Sequence, residues 1–156
     1  MKLKYAIACL MLLVLAFGIA AISAEDATVG DYTFAIPEGF EIINESDEGI
    51  SLSGIDTSTI NVGVLKQKMG NKEIIKSLKA QGYELDDKVD GTYDMENFKV
   101  SRYVFTYKDA YYGYCYICDD GDDQILIYHY FVYEDDLDTY SDDSDVFDII
   151  QSLEKK

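Results

Sequence analysis

The sequence predicts an α+β domain built on an antiparallel β-sheet with both faces covered, and three observations carry that expectation. Alternating apolar segments broken by turn residues fill the second half of the chain. Two stretches, 71–81 and 141–153, change to helical spacing. The strands flanking Asp119-Asp-Gly-Asp-Asp123 are apolar or aromatic on both sides, whereas a half-exposed antiparallel sheet shows one polar face.

Tyr32-Thr-Phe-Ala-Ile36 alternates and stops at Pro37, the only proline, followed by Glu38-Gly39, which reads as a strand and a turn. Phe40–Asn44 and Ile50–Ser53 are short apolar pieces joined by the polar run 45–49, a hairpin pattern. Thr59–Leu65 places Ile60, Val62 and Val64 on one face. In 71–81, Ile74, Ile75 and Leu78 follow helical spacing, Asn71 is placed to cap the start, and Gly82 suits the position after the end. Strands follow at Thr92–Met95, Phe98–Lys108, Tyr111–Cys118 and Gln124–Tyr133. The closing helix, Ser141–Leu153, presents Val146, Ile149, Ile150 and Leu153 as its apolar stripe, with Asp142, Asp143 and Asp145 at its positive end.

A hairpin centred on Gly121 pairs Tyr114 with Tyr128, Tyr112 with Tyr130 and Tyr116 with Leu126 on one face. The other face then pairs Ile117 with Ile125, Cys115 with Ile127, Gly113 with His129 and Tyr111 with Phe131. A two-residue Asp120-Gly121 turn shifts every pair by one. The first helix is expected to cover one face and the last helix the other.

The chain opens on Met1-Lys-Leu-Lys4, then runs twenty residues without a charge from Tyr5 to Ala24 before Glu25 and Asp26. A basic start, an apolar stretch and small residues describe a secretory signal cleaved near Ala24. The run could also span a bilayer of about 30 Å, so an uncleaved anchor competes. The small residues before Glu25 favour cleavage, and either way the positive end stays inside and the domain lies outside. Residues 1–24 are therefore a signal or anchor, 25–31 a short tether, and 32–156 one acidic domain whose membrane contact is limited to residues 5–24 if they are retained.

The whole chain carries 13 basic and 30 acidic residues. Lys2 and Lys4 lie in the leading segment and no acidic residue does, so 11 basic residues against 30 acidic leave the domain at −19. A field of that sign repels nucleic acid and anionic lipid, and favours basic partners. Arg102 is the only arginine and tryptophan is absent, while Lys, Ile, Tyr, Asp and Asn are plentiful, the bias of an AT-rich prokaryotic genome.

Three features together resemble the Mog1/PsbP-like families. They are the opening Tyr32-Thr-Phe-Ala-Ile-Pro-Glu-Gly-Phe40, one helix inserted before a long antiparallel meander, and the closing Val146-Phe-Asp-Ile-Ile-Gln-Ser-Leu153. The resemblance spans nearly all of residues 30–156 and implies an α/β/α sandwich with a central antiparallel sheet. It further implies a binding or accessory role without catalysis. Together with the leading segment, this reads as an exported domain at the cell envelope, without cofactor, whose partner is an unknown protein or envelope component. No family site residue maps onto this chain.

The chemistry-bearing residues are few. His129, the only histidine, sits mid-strand with Ile125, Ile127 and Phe131 on its own face, where a core role outweighs a catalytic one. Cys115 and Cys118 form a C-x-x-C, but within a strand two side chains three apart point to opposite faces. A disulfide between them requires a break in the strand, although export raises the prior for one. A hydrolase or redox enzyme using His129 or the cysteine pair is the enzymatic alternative. The acidic runs at 119–123 and at 134–145, with Asp136, Asp138, Asp143 and Asp145 the nearest to a ligand set, make a Ca²⁺-responsive protein another alternative. Neither run has D-x-D-x-D-G spacing, and solvated carboxylates explain both. Arg102 reads as a structural ion pair. Of the many tyrosines the central ones read as packing, whereas Tyr111, Tyr112 and Tyr133 at strand ends are candidates for a partner surface.

Overall fold

The computed structural model describes residues 26–156, so the leading segment and the question of its cleavage lie outside the described residues. In chain order the elements are β1 (Asp26–Val29), β2 (Tyr32–Ala35), β3 (Phe40–Glu45), β4 (Gly49–Gly54), β5 (Thr59–Val64), α1 (Asn71–Ala80), β6 (Tyr83–Leu85) and β7 (Gly91–Asp94). They continue with β8 (Lys99–Tyr107), β9 (Tyr111–Asp119), β10 (Gln124–Phe131), α2 (Asp136–Thr139), α3 (Ser144–Ser152) and β11 (Glu154–Lys155). The described chain is thus mostly antiparallel sheet with a few helices.

The main sheet runs β3-β4-β5-β10-β9-β8-β6, with β7 also paired to β8, and every pairing is antiparallel. A small second sheet has the order β1-β2-β11. Residues expected to form a tether therefore include a strand: Asp26–Val29 pairs with Tyr32–Ala35, and Ala27 and Val29 are buried. β1, β6, α2 and β11 are too short or too exposed for periodicity to reveal.

The expected register of the long hairpin is corrected by one residue. Tyr128 faces Cys115, His129 faces Tyr114, Ile127 faces Tyr116 and Tyr130 faces Gly113. The Asp120 N–H donates to the Asp123 carbonyl at 3.2 Å, so the chain reverses through a loop one residue off the Gly121-centred one. A one-residue change moves whole sets of side chains between faces. Tyr114 and Tyr116 consequently share a face with Ile127 and His129, while Tyr128 and Tyr130 lie on the other.

Each face builds its own apolar cluster. On one, Ile74, Ile75 and Leu78 of α1 bury with Tyr103, Phe105, Cys115, Ile117, Leu126 and Tyr128. On the other, Tyr114, Tyr116, Cys118, Ile125, Ile127 and Phe131 meet Ala27, Val29, Tyr32 and Phe34 of the small sheet, together with Val146, Ile149 and Ile150 of α3. The expectation of a helix alone over this second face is corrected: the small sheet forms much of the cover, and α3 packs against its β2 strand. Gly113 is required by a close approach, since a Cβ there would lie 2.0 Å from the His129 carbonyl oxygen and 2.7 Å from the Phe105 ring.

Gly82 follows the first helix with φ 97°, as expected, but the helix starts depart from the expected caps. α1 begins after Gly70, and the Asn71 amide instead donates to Ser101 Oγ at 3.2 Å. The last helix starts at Ser144 and not Ser141. Asp143, at its N-cap position, adopts φ 40° and turns its side chain away from the helix N–H groups.

Candidate functional site

His129 and Asp143 are the clearest polar pair inside the molecule. β10 aims the imidazole into the small-sheet side of the core, between Phe40 at 6.2 Å, Phe131 at 4.3 Å and Tyr140 at 5.8 Å. His129 Nδ1 lies 2.9 Å from Asp143 Oδ1, and the Tyr116 hydroxyl donates to the other Asp143 oxygen. Both members of the pair are shielded from solvent, His129 at 0% and Asp143 at 1% exposure. The Tyr116 hydroxyl is pushed far above its usual range, first by burial and then by the Asp143 charge.

Arg102 stands next to this network. Its Nε donates to Asp90 at 2.8 Å and its Nη1 to the Ser141 carbonyl at 2.6 Å, while the guanidinium lies over the Tyr114 ring at 4.4 Å. The chemistry available here is anchoring. A buried carboxylate accepts from a tyrosine and meets an imidazole, and the residues just before α3 are tied to β8, β9 and β10. The other imidazole nitrogen, Nε2, is buried without a hydrogen-bond partner among the described residues.

The expected positions of Asp143 are corrected by this geometry. It is neither a solvated helix-end carboxylate nor free to join Asp136, Asp138 and Asp145 around a cation. Asp136 is half-buried and Asp138 exposed on or beside α2, and burial raises the Asp145 carboxyl. Among the described residues no three His, Cys, Asp or Glu side chains converge as a metal group.

Cys115 and Cys118 are both buried thiols, one in the cluster with α1 and the other in the cluster with α3. Burial pushes the Cys115 thiol up to about 12 and the Cys118 thiol higher still, the reverse of what a reactive thiolate needs. The two thiols are unbridged.

The turn at 119–123 is held by cations and a phenol. Lys68 reaches Asp119 at 2.9 Å and the Gly121 carbonyl at 2.8 Å. Lys155 reaches Asp123 at 2.6 Å. The Tyr32 hydroxyl donates to Asp120 at 2.5 Å and Asp123 at 3.1 Å, clasping the small sheet to the β9–β10 hairpin. Burial alone would raise the Asp120 carboxyl, but N–H donors from Asp123 and Asp122 and the Tyr32 hydroxyl hold it below the usual carboxylate range. A cleft of about 780 Å³ opens beside this turn between Lys68, Asn71, Lys99 and Phe98, and of the acidic run at 119–123 it is lined by Asp119 and Asp120.

The partner-surface tyrosines divide by exposure. Tyr133 is 67% and Tyr111 40% exposed, while Tyr112 is half-buried. Register places them at one end of the sheet, since Tyr112 faces Phe131 and Tyr111 faces Tyr107. Val132 is exposed beside Tyr133, and Ile55 is exposed in the β4–β5 turn at the same end. Ile55 escaped sequence reasoning because one apolar residue in a polar turn forms no pattern.

No protein-family model matches the chain, and no curated protein matches it. Solved structures do. A solution structure of cyanobacterial PsbP (CyanoP) from Synechocystis sp. PCC 6803 matches with a TM-score of 0.51 and 13% identity, covering 92% of this chain and 99% of that one. The Ran-binding protein Mog1p of Saccharomyces cerevisiae matches with a TM-score of 0.50 and 11% identity, covering 85% of this chain and 96% of its own. At these identities the likeness is one of fold, and the fold of this chain resembles that of PsbP and Mog1p.

Proposed function

We propose that this protein is an exported, non-catalytic binding domain that meets a protein or envelope component through the sheet end bearing Tyr111, Tyr112 and Tyr133. The observation that carries the reading is the exposure of Tyr133, Tyr111, Val132 and Ile55 at one end of a strongly acidic domain. Exposed apolar area rimmed by charge is characteristic of interaction surfaces. The reactive residue types lie elsewhere, with His129, Cys115 and Cys118 sealed in the core. The likeness to a Ran-binding protein supports the fold as one able to hold a protein partner. Residues 1–24 carry the domain across a membrane, and the mature chain begins near Glu25, which N-terminal sequencing of protein from its native cells checks.

Affinity purification from envelope extracts tests the binding role, using the native protein and a Tyr111→Ser/Tyr133→Ser variant side by side. A partner retained by the first and lost by the second is expected. Equal retention by both removes this surface from consideration.

A further inference from the structure

Two unfavourable features coincide in the β4–β5 turn. Ile55 is 90% exposed, the highest value among the exposed large apolar residues described. Two residues on, Thr57 adopts φ 68°, a left-handed conformation that strains a β-branched residue. Strain of this kind persists only where surrounding structure enforces it, and it gathers at functional positions.

The turn is braced on every side. Gly54 N–H donates to the Ser58 carbonyl at 2.9 Å, Ile55 N–H to the Gly39 carbonyl at 3.2 Å, and Thr57 N–H to the Gly54 carbonyl at 3.3 Å. Asp56 accepts from Ser58 Oγ at 2.7 Å and from the Tyr140 hydroxyl. The Tyr140 ring stacks on Phe131 at 4.9 Å with 9° between planes, and Val132 and Tyr133 follow directly in the chain. Ile55 is therefore held out to solvent on a rigid mount tied to the exposed Val132–Tyr133 edge.

The rim has one dominant sign. Asp56 stands next to Ile55, and Glu134, Asp135, Asp136 and Asp138 follow Tyr133. Burial alone would raise the Asp56 carboxyl, but the Tyr140 and Ser58 donors hold it below the usual range, so it stays ionised. Lys108, in the neighbouring β8–β9 turn, folds over the Tyr107 ring at 4.9 Å.

We infer that Ile55 is the anchor of a docking surface for a cationic polypeptide segment with an apolar face. The inference rests on the binding-domain reading and names the partner's chemistry. An anionic lipid surface or nucleic acid is repelled by the same carboxylates, and a small cation gains nothing from an exposed isoleucine. A preformed apolar anchor ringed by one charge sign supplies affinity from the anchor and encounter rate from the ring.

The test uses the full chain in nonionic detergent, with fluorescent peptides alternating Lys with Leu, Glu with Leu, or Lys with Ser, and empty micelles as background. Anisotropy titration should show the Lys/Leu peptide binding at least about tenfold tighter than either control, with affinity falling as salt rises. Ile55→Ser should weaken that binding about tenfold with no loss of melting temperature, and Tyr133→Ser by a smaller factor. Ile55→Ser without effect, while Tyr133→Ser weakens binding, overturns the anchor and leaves the broader surface standing. Neither variant having an effect overturns both. Failure of the Lys/Leu peptide to bind, or equal binding of a control peptide, overturns the stated partner chemistry.

Discussion

Two acid-rich stretches, 119–123 and 134–145, look alike in sequence, yet the fold treats them oppositely. In the first, carboxylates at the surface are met by Lys68, Lys155 and the Tyr32 hydroxyl. In the second, most carboxylates face water while Asp143 goes into the core to meet His129 and Tyr116. Composition cannot separate these fates. Backbone conformation does, because the left-handed Asp143 rotates its side chain off the helix start and onto the sheet. A carboxylate at a helix start thus serves the tertiary fold here in place of the helix.

Substitutions can break or sharpen that contrast. Asp143→Ala strands a buried imidazole and a buried phenol, and should cost about 4 kcal/mol in urea unfolding, the scale for removing one member of a buried pair. Ile150→Ala, which leaves a cavity where α3 meets the same cluster, should cost about 3 kcal/mol by the same measurement. At the surface stretch, Tyr32→Phe removes a donor to two carboxylates and should cost about 1.5 kcal/mol. Asp122→Ala should fall within about 0.5 kcal/mol of the native protein. An Asp143→Ala cost as small as that of Asp122→Ala would erase the difference between the two stretches.

Acid offers a further separation. Asp119 and Asp120 have folded-state carboxyls held below their usual values, so their contribution is present above the unfolded pKa of about 4. It is lost as pH falls through the depressed folded values. Stability measured from pH 5 downwards should therefore decline less steeply in Asp120→Asn than in the native protein.

Much of the fold was legible from periodicity, because β5, β8, β9, β10 and α1 are long enough to show it. Register was not, since it depends on how the 119–123 loop closes. Asp119 and Asp120 side chains accept from the N–H groups of Gly121, Asp122 and Asp123, favouring a loop that pairs Asp119 with Gln124. Side-chain hydrogen bonds of this sort are invisible to a pattern of apolar positions. The candidate surface was partly legible: Tyr111 and Tyr133 stand at strand ends, where packing stops. Ile55 was not, as its placement comes from its N–H bond to the Gly39 carbonyl and the Gly54 N–H bond to the Ser58 carbonyl, which tie together turns distant from any apolar pattern.

Cys115 and Cys118, unbridged and placed on opposite faces, amount to a pair of internal clocks. Each thiol can meet a labelling reagent only when its own face of the sheet opens, because burial both shields it and disfavours the thiolate. Comparing labelling rates of single Cys115→Ala and Cys118→Ala chains would time the detachment of α1 separately from that of the small sheet and α3. Equal rates would mean the two layers come apart in one event; unequal rates would name the layer that yields first.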